Sequence, residues 1–125
     1  SVREGSLQEV VAVADFLSLH CPPRPDGRAV IDAAILQSMK RGVYLINTAR
    51  HELIDFAAVR AALEAGQLAG FATDVLESES SAALQEIRHP RIVATPHIGG
   101  STRESIDRAM HAAVDNLLAA LEASA

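Results

Sequence analysis

Polar or titratable side chains follow each of four apolar segments in this sequence. Cys21 follows the first segment, Arg50 follows the second, Asp74 ends the third, and His97 follows the fourth. In parallel α/β sheets, ligands bind where the carboxyl ends of the strands meet at one edge. If the four segments are parallel strands, these side chains meet there, as the groups of a catalytic or binding site do. The sequence therefore predicts one site at a sheet edge.

Arg50 and His97 are the two groups with the clearest chemistry. A guanidinium placed after a strand can clamp a carboxylate through two parallel hydrogen bonds, and the alternative is an ordinary surface arginine. His97 lies in the turn Thr-Pro-His-Ile-Gly-Gly, which presents the imidazole to a cleft and lets a ligand approach the backbone closely. The alternative for His97 is a turn residue that is bonded to a backbone carbonyl.

Two carboxylates are candidate partners at this edge. Glu79 beside His97 would favour the protonated imidazole that a general acid needs near neutral pH, unless Glu79 belongs to a solvated acidic loop. Asp74 could accept a hydrogen bond from a ligand amide, or it could cap local backbone. No two histidines have the spacing of metal ligands and the single cysteine has no partner, so no metal site is predicted.

The elements that position these residues alternate between helical and strand periodicity. Apolar spacing and capping residues, among them a Ser6–Glu9 capping box and N-caps at Asp32 and Asp55, predict the order α-β-α-β-α-β-(α)-β-α. Such an order predicts one α/β domain with a parallel sheet of about four strands, flanked by helices, and a long C-terminal helix. The predicted helices are 6–14, 32–39, 55–66, 82–87 and one opened by a second capping box at 101–104; the predicted strands are 15–19, 43–47, 70–75 and 91–95.

Composition narrows the class of protein. The chain has 125 residues, 49% of them hydrophobic, and a net charge of −5, which favours a folded domain and disfavours nucleic acid as a partner. The lone Cys21 excludes an internal disulfide and fits a reducing compartment. There is no apolar run of membrane-spanning length and no signal-peptide core, so we expect a cytoplasmic protein without a membrane partner.

Phosphate-binding loops are missing from the sequence. Neither G-x-G-x-x-G nor a P-loop occurs, and the only glycine pair, Gly99-Gly100, precedes the last helix. A sheet of four parallel strands also leaves edges open. We therefore expect the first strand, 15–19, to pair with another chain and the apolar residues of the last helix to favour a homodimer.

Three stretches resemble the D-isomer-specific 2-hydroxyacid dehydrogenases, the family of phosphoglycerate, glycerate and D-lactate dehydrogenases. Residues 17–22 are similar to its strand leading into a His-x-Pro turn. Residues 39–50 together with 69–75 are similar to its central signature, and residues 95–102 to its third. The resemblance extends over essentially the whole chain. It implies a Rossmann-like half-domain, in which residues 1–125 form part of an NAD-binding domain that lacks the first β-α-β unit and the substrate domain.

The resemblance also implies roles for the residues singled out above. Arg50 would bind the substrate's carboxylate and carbonyl, His97 would be the acid/base, and Glu79 would orient His97. Asp74 would contact the nicotinamide carboxamide of NAD. The other residues implied on the nicotinamide side of the cofactor are Cys21, Thr48, Ala49, Gly99 and Gly100, together with Arg50 and His97.

Two positions depart from the family pattern. His51 stands where the family usually has glycine, and a side chain there would narrow the site or distort the turn. Ser80 stands where the family usually has proline after its glutamate, which would loosen the loop around Glu79.

We accordingly expect a fragment of an NAD-dependent oxidoreductase that acts on a 2-hydroxy or 2-keto acid and is inactive as an isolated chain. NAD binding by this chain alone would be weak, and NADP is equally compatible because the residue that chooses between them follows a strand that is not present. The alternative is a non-catalytic half-domain with a dimerising or regulatory role.

Overall fold

A four-stranded parallel sheet forms the centre of the computed structural model, which describes residues 3–78 and 80–123. The strand order is β1-β2-β3-β4, so each strand lies beside the next one in the chain. The strands are β1 (Phe16–Leu19), β2 (Val43–Asn47), β3 (Leu68–Thr73) and β4 (Ile92–Ala94). The helices are α1 (Leu7–Val13), α2 (Ala33–Ser38), α3 (Phe56–Glu64), α4 (Ser81–Glu86) and α5 (Arg103–Ala123), and a 3-10 turn covers His51–Leu53. The predicted fold class is confirmed.

Helix starts follow the capping residues read from the sequence. Ser6 and Glu9 form the expected capping box at α1, and Asp32 and Asp55 accept backbone N–H bonds at the starts of α2 and α3. The second capping box was predicted one residue early, because Thr102 is the residue whose hydroxyl accepts the N–H of Ser105. Helix α5 therefore begins at Arg103.

Strand ends differ from the prediction by up to two residues. Strand β3 was expected at 70–75 but begins at Leu68, which pairs with Val43 across a local irregularity in the register. It ends at Thr73, because the Thr73 hydroxyl donates to the Val75 carbonyl and accepts the Val75 N–H, which closes a local turn.

One face of the sheet carries the core. Consecutive parallel strands advance in a single direction, and right-handed crossovers then place the connecting helices on the same face. The buried side chains from that face and from α1, α2 and α3 form one cluster, which includes Val11, Leu17, Leu36, Leu45, Val59, Leu63 and Phe71.

The other face is largely open. Phe16 and Tyr44 stack with ring centroids 5.1 Å apart, yet they remain 68% and 46% exposed, and Val93 is 68% exposed. The Tyr44 ring lies over Gly70, where an added Cβ would come within 3.0 Å of the ring.

Helix α5 also exposes apolar side chains. Its 21 residues include no buried one, and the large apolar residues at helical spacing between Ile106 and Leu121 are each about half exposed or more. None of the helices within residues 3–78 and 80–123 has the length and apolarity needed to cross a membrane.

Candidate active site

The turn after β2 is held by a buried asparagine. Asn47 is fully buried, its side-chain amide donates to the Arg50 carbonyl at 2.8 Å, and its side-chain oxygen accepts the Ala49 N–H at 3.1 Å. The Asn47 carbonyl also accepts the N–H of Asp74, which ties the ends of β2 and β3 together. Asn47 therefore fixes the backbone that presents Arg50.

Arg50 itself is exposed at the sheet edge. One terminal guanidinium nitrogen donates to the Ala49 carbonyl at 2.6 Å, which bends the side chain back over its own turn. A guanidinium has five N–H donors, so this bond leaves further donors for a carboxylate. The position matches the one predicted from the sequence.

His51 does not distort this turn. It begins the 3-10 turn, and among the described residues other than glycine only His97 has a positive φ, so position 51 does not require glycine. Its Nδ1 lies 3.3 Å from a carboxylate oxygen of Glu52. The expected distortion is therefore absent, and the ring instead lines a neighbouring cavity of about 820 Å³ beside Phe56 and Glu77.

His97 lies in a turn that is fastened to Asp74. Its φ is 55°, which is the left-handed region and uncommon for any residue but glycine. The Asp74 carboxylate accepts the Ile98 N–H at 2.9 Å and the Gly99 N–H at 2.8 Å, and it also accepts the Thr95 hydroxyl. Asp74 therefore caps backbone, but the amides that it caps lie 24 and 25 residues away in the sequence and not in the local segment that the sequence suggested.

The electrostatics of Asp74 follow from these donors. The hydrogen bond from Thr95, then those from the Ile98 and Gly99 amides and the nearby charge of His97, hold the pKa of the Asp74 carboxyl below its ordinary value, although desolvation opposes them. Asp74 is therefore an anion throughout the neutral range, as a stable acceptor for N–H groups must be.

Two pockets at the carboxyl edge of the sheet contain the remaining predicted residues. One has a volume of about 430 Å³ and brings together Thr48, Asp74, His97, Gly99 and Gly100, with Thr95 and Ile98. The other has a volume of about 420 Å³ and is lined by Ala49 and Arg50 together with residues 20–23, which include Cys21. The turn from Thr48 to Arg50 contributes to both pockets.

Glu79 lies outside the described residues, so its predicted pairing with His97 remains a prediction. The residue after it has a structural role of its own. Ser80 caps α4, where its hydroxyl accepts the Ala83 N–H at 3.2 Å. This cap fixes the start of α4, while the expected loosening of the loop around Glu79 remains a prediction.

Asn47 is the site residue that sequence reasoning missed. It ends the predicted strand 43–47 without an assigned role, although an amide that ends an apolar strand is a signal in itself. A buried amide needs both a donor and an acceptor partner, and here the turn that contains Arg50 supplies them.

The comparisons agree with this arrangement. A profile of the family described as D-isomer specific 2-hydroxyacid dehydrogenase, NAD binding domain, matches residues 1–99. The chain belongs to this family. The resemblance read from the sequence motifs is thereby confirmed, and the matched D-2-hydroxyacid dehydrogenase segment covers β1 to β4 and the His97 turn.

Individual D-2-hydroxyacid dehydrogenase relatives are considerably longer. The 2-hydroxyacid dehydrogenase homolog 1 of Schizosaccharomyces pombe is 36% identical over 124 residues, covering 88% of this chain and 37% of that protein. D-3-phosphoglycerate dehydrogenase of Bacillus subtilis is 38% identical over 104 residues, covering 83% of this chain and 20% of that protein. A D-lactate dehydrogenase structure from Aquifex aeolicus, complexed with NAD and lactic acid, has a TM-score of 0.79 at 30% identity, over 95% of this chain and 40% of that one. This chain thus spans less than half the length of these relatives.

Proposed function

We propose that these 125 residues correspond to the catalytic half of the NAD-binding domain of an NAD-dependent D-2-hydroxyacid dehydrogenase, and that they do not include the first β-α-β unit or the substrate domain. One observation carries the proposal most directly. His97 and Asp74 are held together at the carboxyl edge of the sheet, in a pocket adjoining the turn that presents Arg50. Oxidation of a 2-hydroxy acid requires a general acid/base and a cation that binds the substrate carboxylate. His97 and Arg50 are groups of these two kinds, and they lie on one sheet edge.

Each residue has a role in that reaction. The Arg50 guanidinium binds the substrate carboxylate, using the donors that its bond to Ala49 leaves available. The His97 imidazole takes the proton of the substrate hydroxyl in oxidation and returns it to the carbonyl oxygen in reduction. Glu79 keeps the His97 ring oriented, in the role that the family assigns to it.

The residues of this half fit the nicotinamide end of the cofactor. A nicotinamide cofactor held there by the residues of the two pockets would supply the hydride acceptor for oxidation and the hydride donor for reduction. A carboxylate has about four acceptor sites, and the donors among the described residues occupy three of those of Asp74, which leaves one for an amide such as a carboxamide. Thr48, Gly99 and Gly100 line the same pocket, and Cys21 and Ala49 line the adjoining one.

This sequence contains no recognisable loop for binding the pyrophosphate of the cofactor. A glycine-rich turn at a helix N-terminus supplies the backbone N–H groups that bind pyrophosphate in dinucleotide-binding domains, and no G-x-G-x-x-G occurs here. We therefore expect the isolated chain to bind NADH weakly and to have no measurable dehydrogenase activity.

Cofactor binding to the isolated chain tests this function. NADH and nicotinamide mononucleotide, which lacks the adenylate half, are titrated to millimolar concentration into the ¹⁵N-labelled chain and followed by NMR, with calorimetry in parallel. The expected result is weak binding of similar strength for both ligands, with shifts at the Thr48 amide and the amides of residues 97–100. The exposed amides of α5 serve as the internal control.

Two outcomes would contradict the proposal. Shifts confined to residues away from the two pockets, or none with either ligand, would remove the nicotinamide site. An NADH dissociation constant below roughly 100 μM, about −5.5 kcal/mol, would mean that the chain has a phosphate site of its own, and the fragment interpretation would then be wrong.

A second candidate is a non-catalytic, dimerising half-domain. It is favoured by two apolar surfaces, the open sheet face around Phe16, Tyr44 and Val93 and the exposed stripe of α5. A second copy of the chain offers a complementary apolar surface to each, so a homodimer is the assembly that we propose.

A further inference from the structure

The turn that contains His97 combines an uncommon backbone conformation with an unusual anchor. His97 has a φ of 55°, and the two residues that follow it donate their backbone N–H groups to one carboxylate. The turn also closes on itself, because the Ser101 N–H donates to the Ile98 carbonyl at 2.9 Å. This internal bond shapes the turn but does not attach it to the sheet.

Asp74 makes that attachment. One carboxylate oxygen accepts the Ile98 N–H and the Thr95 hydroxyl, and the other accepts the Gly99 N–H. The donors therefore come from both sides of His97 in the sequence, and Asp74 follows directly after the end of β3. We propose that Asp74 is a further positioning residue of His97, in addition to Glu79, and that its three bonds hold the turn from which the imidazole faces the pocket.

Gly99 has a steric role in the same arrangement. A Cβ at position 99 would lie 2.8 Å from an Asp74 carboxylate oxygen, which is closer than such atoms approach, whereas a Cβ at position 100 would meet nothing within 4 Å. The two adjacent glycines are therefore not equivalent. Gly99 permits the carboxylate to reach the backbone, while Gly100 does not take part in this contact.

The consequence for catalysis rests on the proposed function, whereas the attachment of the turn does not. A general base has to lie within hydrogen-bond reach of the proton that it removes, so a change in the direction of the imidazole would lower the rate without removing the histidine. An experiment on the turn can therefore be separated from an experiment on the cofactor.

Amide hydrogen exchange of the ¹⁵N-labelled chain tests the attachment. In Asp74→Ala we expect the Ile98 and Gly99 amides to exchange at least tenfold faster, because both lose their acceptor. Glu77→Gln removes an exposed carboxylate three residues away with the same change in charge, and it should leave these two amides unchanged. Equal exchange in the wild type and in Asp74→Ala would overturn the proposal.

A second pair of variants covers the case in which Asp74→Ala unfolds the chain. Gly99→Ala should displace the carboxylate and accelerate exchange at Ile98, whereas Gly100→Ala should not.

A pH titration followed by NMR tests the same attachment. In the wild type the Ile98 and Gly99 amide resonances should shift as the Asp74 carboxyl titrates. That pH-dependent shift should vanish in Asp74→Asn, and its persistence would contradict the proposal.

Titration of NADH into the same samples separates the two proposals. If exchange at Ile98 and Gly99 depends on Asp74 but NADH shifts no pocket amide in the wild type, the positioning role stands and the proposed function fails. If NADH shifts the pocket amides but exchange is independent of Asp74, the positioning role fails and the proposed function stands.

Discussion

Asp74 is bonded to the backbone of a distant turn, and its contact with a ligand amide remains a proposal. Its carboxylate caps the backbone of the His97 turn, and it still has an acceptor site left for a ligand amide. Arg50 is also bonded to backbone, because its guanidinium donates to the Ala49 carbonyl. Its other N–H donors remain for a substrate carboxylate. At the scale of single residues, the site is organised by hydrogen bonds from side chains to backbone, which are local for Arg50 and long-range for Asp74.

The pH dependence of stability should report on Asp74. Its folded-state pKa is lowered, chiefly by the Thr95 hydroxyl, below the ordinary value of about 3.9. A carboxyl with a lowered folded pKa stabilises the fold above its unfolded pKa, and this contribution is lost as the pH falls through the folded value. We expect the difference in unfolding free energy between the wild type and Asp74→Asn to be constant above about pH 5 and to shrink below about pH 4.

Urea denaturation of both proteins at pH 7, 5, 4 and 3 measures that difference. The subtraction cancels the carboxyl groups that the two proteins share, so the remaining pH dependence belongs to Asp74. A difference that stays constant down to pH 3 would show that the carboxylate form of Asp74 is not favoured by folding.

Elements meet at the carboxyl edge through the ends of β2 and β3. The Asn47 side chain holds the turn after β2, and the Asn47 carbonyl accepts the N–H of Asp74 after β3. Ser80 similarly fixes the start of α4 in the loop that follows β3. The geometry of the site is therefore a property of strand ends and caps.

Asn47→Ala should destabilise the chain and release the Arg50 turn. The substitution removes the acceptor of the Ala49 N–H and one of the two donors to the Arg50 carbonyl, which retains the Leu53 N–H, and a group left unsatisfied in this way costs about 1–3 kcal/mol. Asn116→Ala is the matched control, because Asn116 is exposed on α5 and its loss should change stability by less than about 0.5 kcal/mol. Urea denaturation followed by circular dichroism measures both, and equal effects would contradict the role of Asn47.

The two faces of the sheet are covered unequally. The crossover helices cover one face of the sheet, while the other face and the length of α5 present apolar side chains to solvent. Strand β1 lies at the edge of the sheet, as expected, with its outer backbone groups available to another strand. These surfaces are the basis of the proposed homodimer.

Self-association should depend on the apolar stripe of α5. We expect multi-angle light scattering to give a dimer mass at high concentration for the wild type, and Leu117→Glu to shift the mass toward a monomer because it places a charge within the stripe. Ala119→Glu adds the same charge on the opposite side of the helix and should leave the dimer intact. A wild-type monomer at every concentration, or equal effects of both variants, would contradict the homodimer.

The sequence by itself determined the elements, the family and the edge at which the site lies. Hydrophobic period, capping residues and turn glycines are local, so Ser6, Asp32 and Asp55 could be assigned as helix caps from the residues around them. The parallel order followed from alternating helices and strands, and it placed Arg50, Asp74 and His97 on one edge.

Tertiary structure decided which groups at that edge touch. The partners of Asp74 lie 21 to 25 residues away in the sequence, so the turn in which His97 has its positive φ is attached by contacts that no local pattern encodes. The different environments of Gly99 and Gly100 also depend on the Asp74 side chain, which follows β3. Long-range hydrogen bonds form only after the strands are in register, and for that reason the geometry of the His97 turn could be known only from the folded chain.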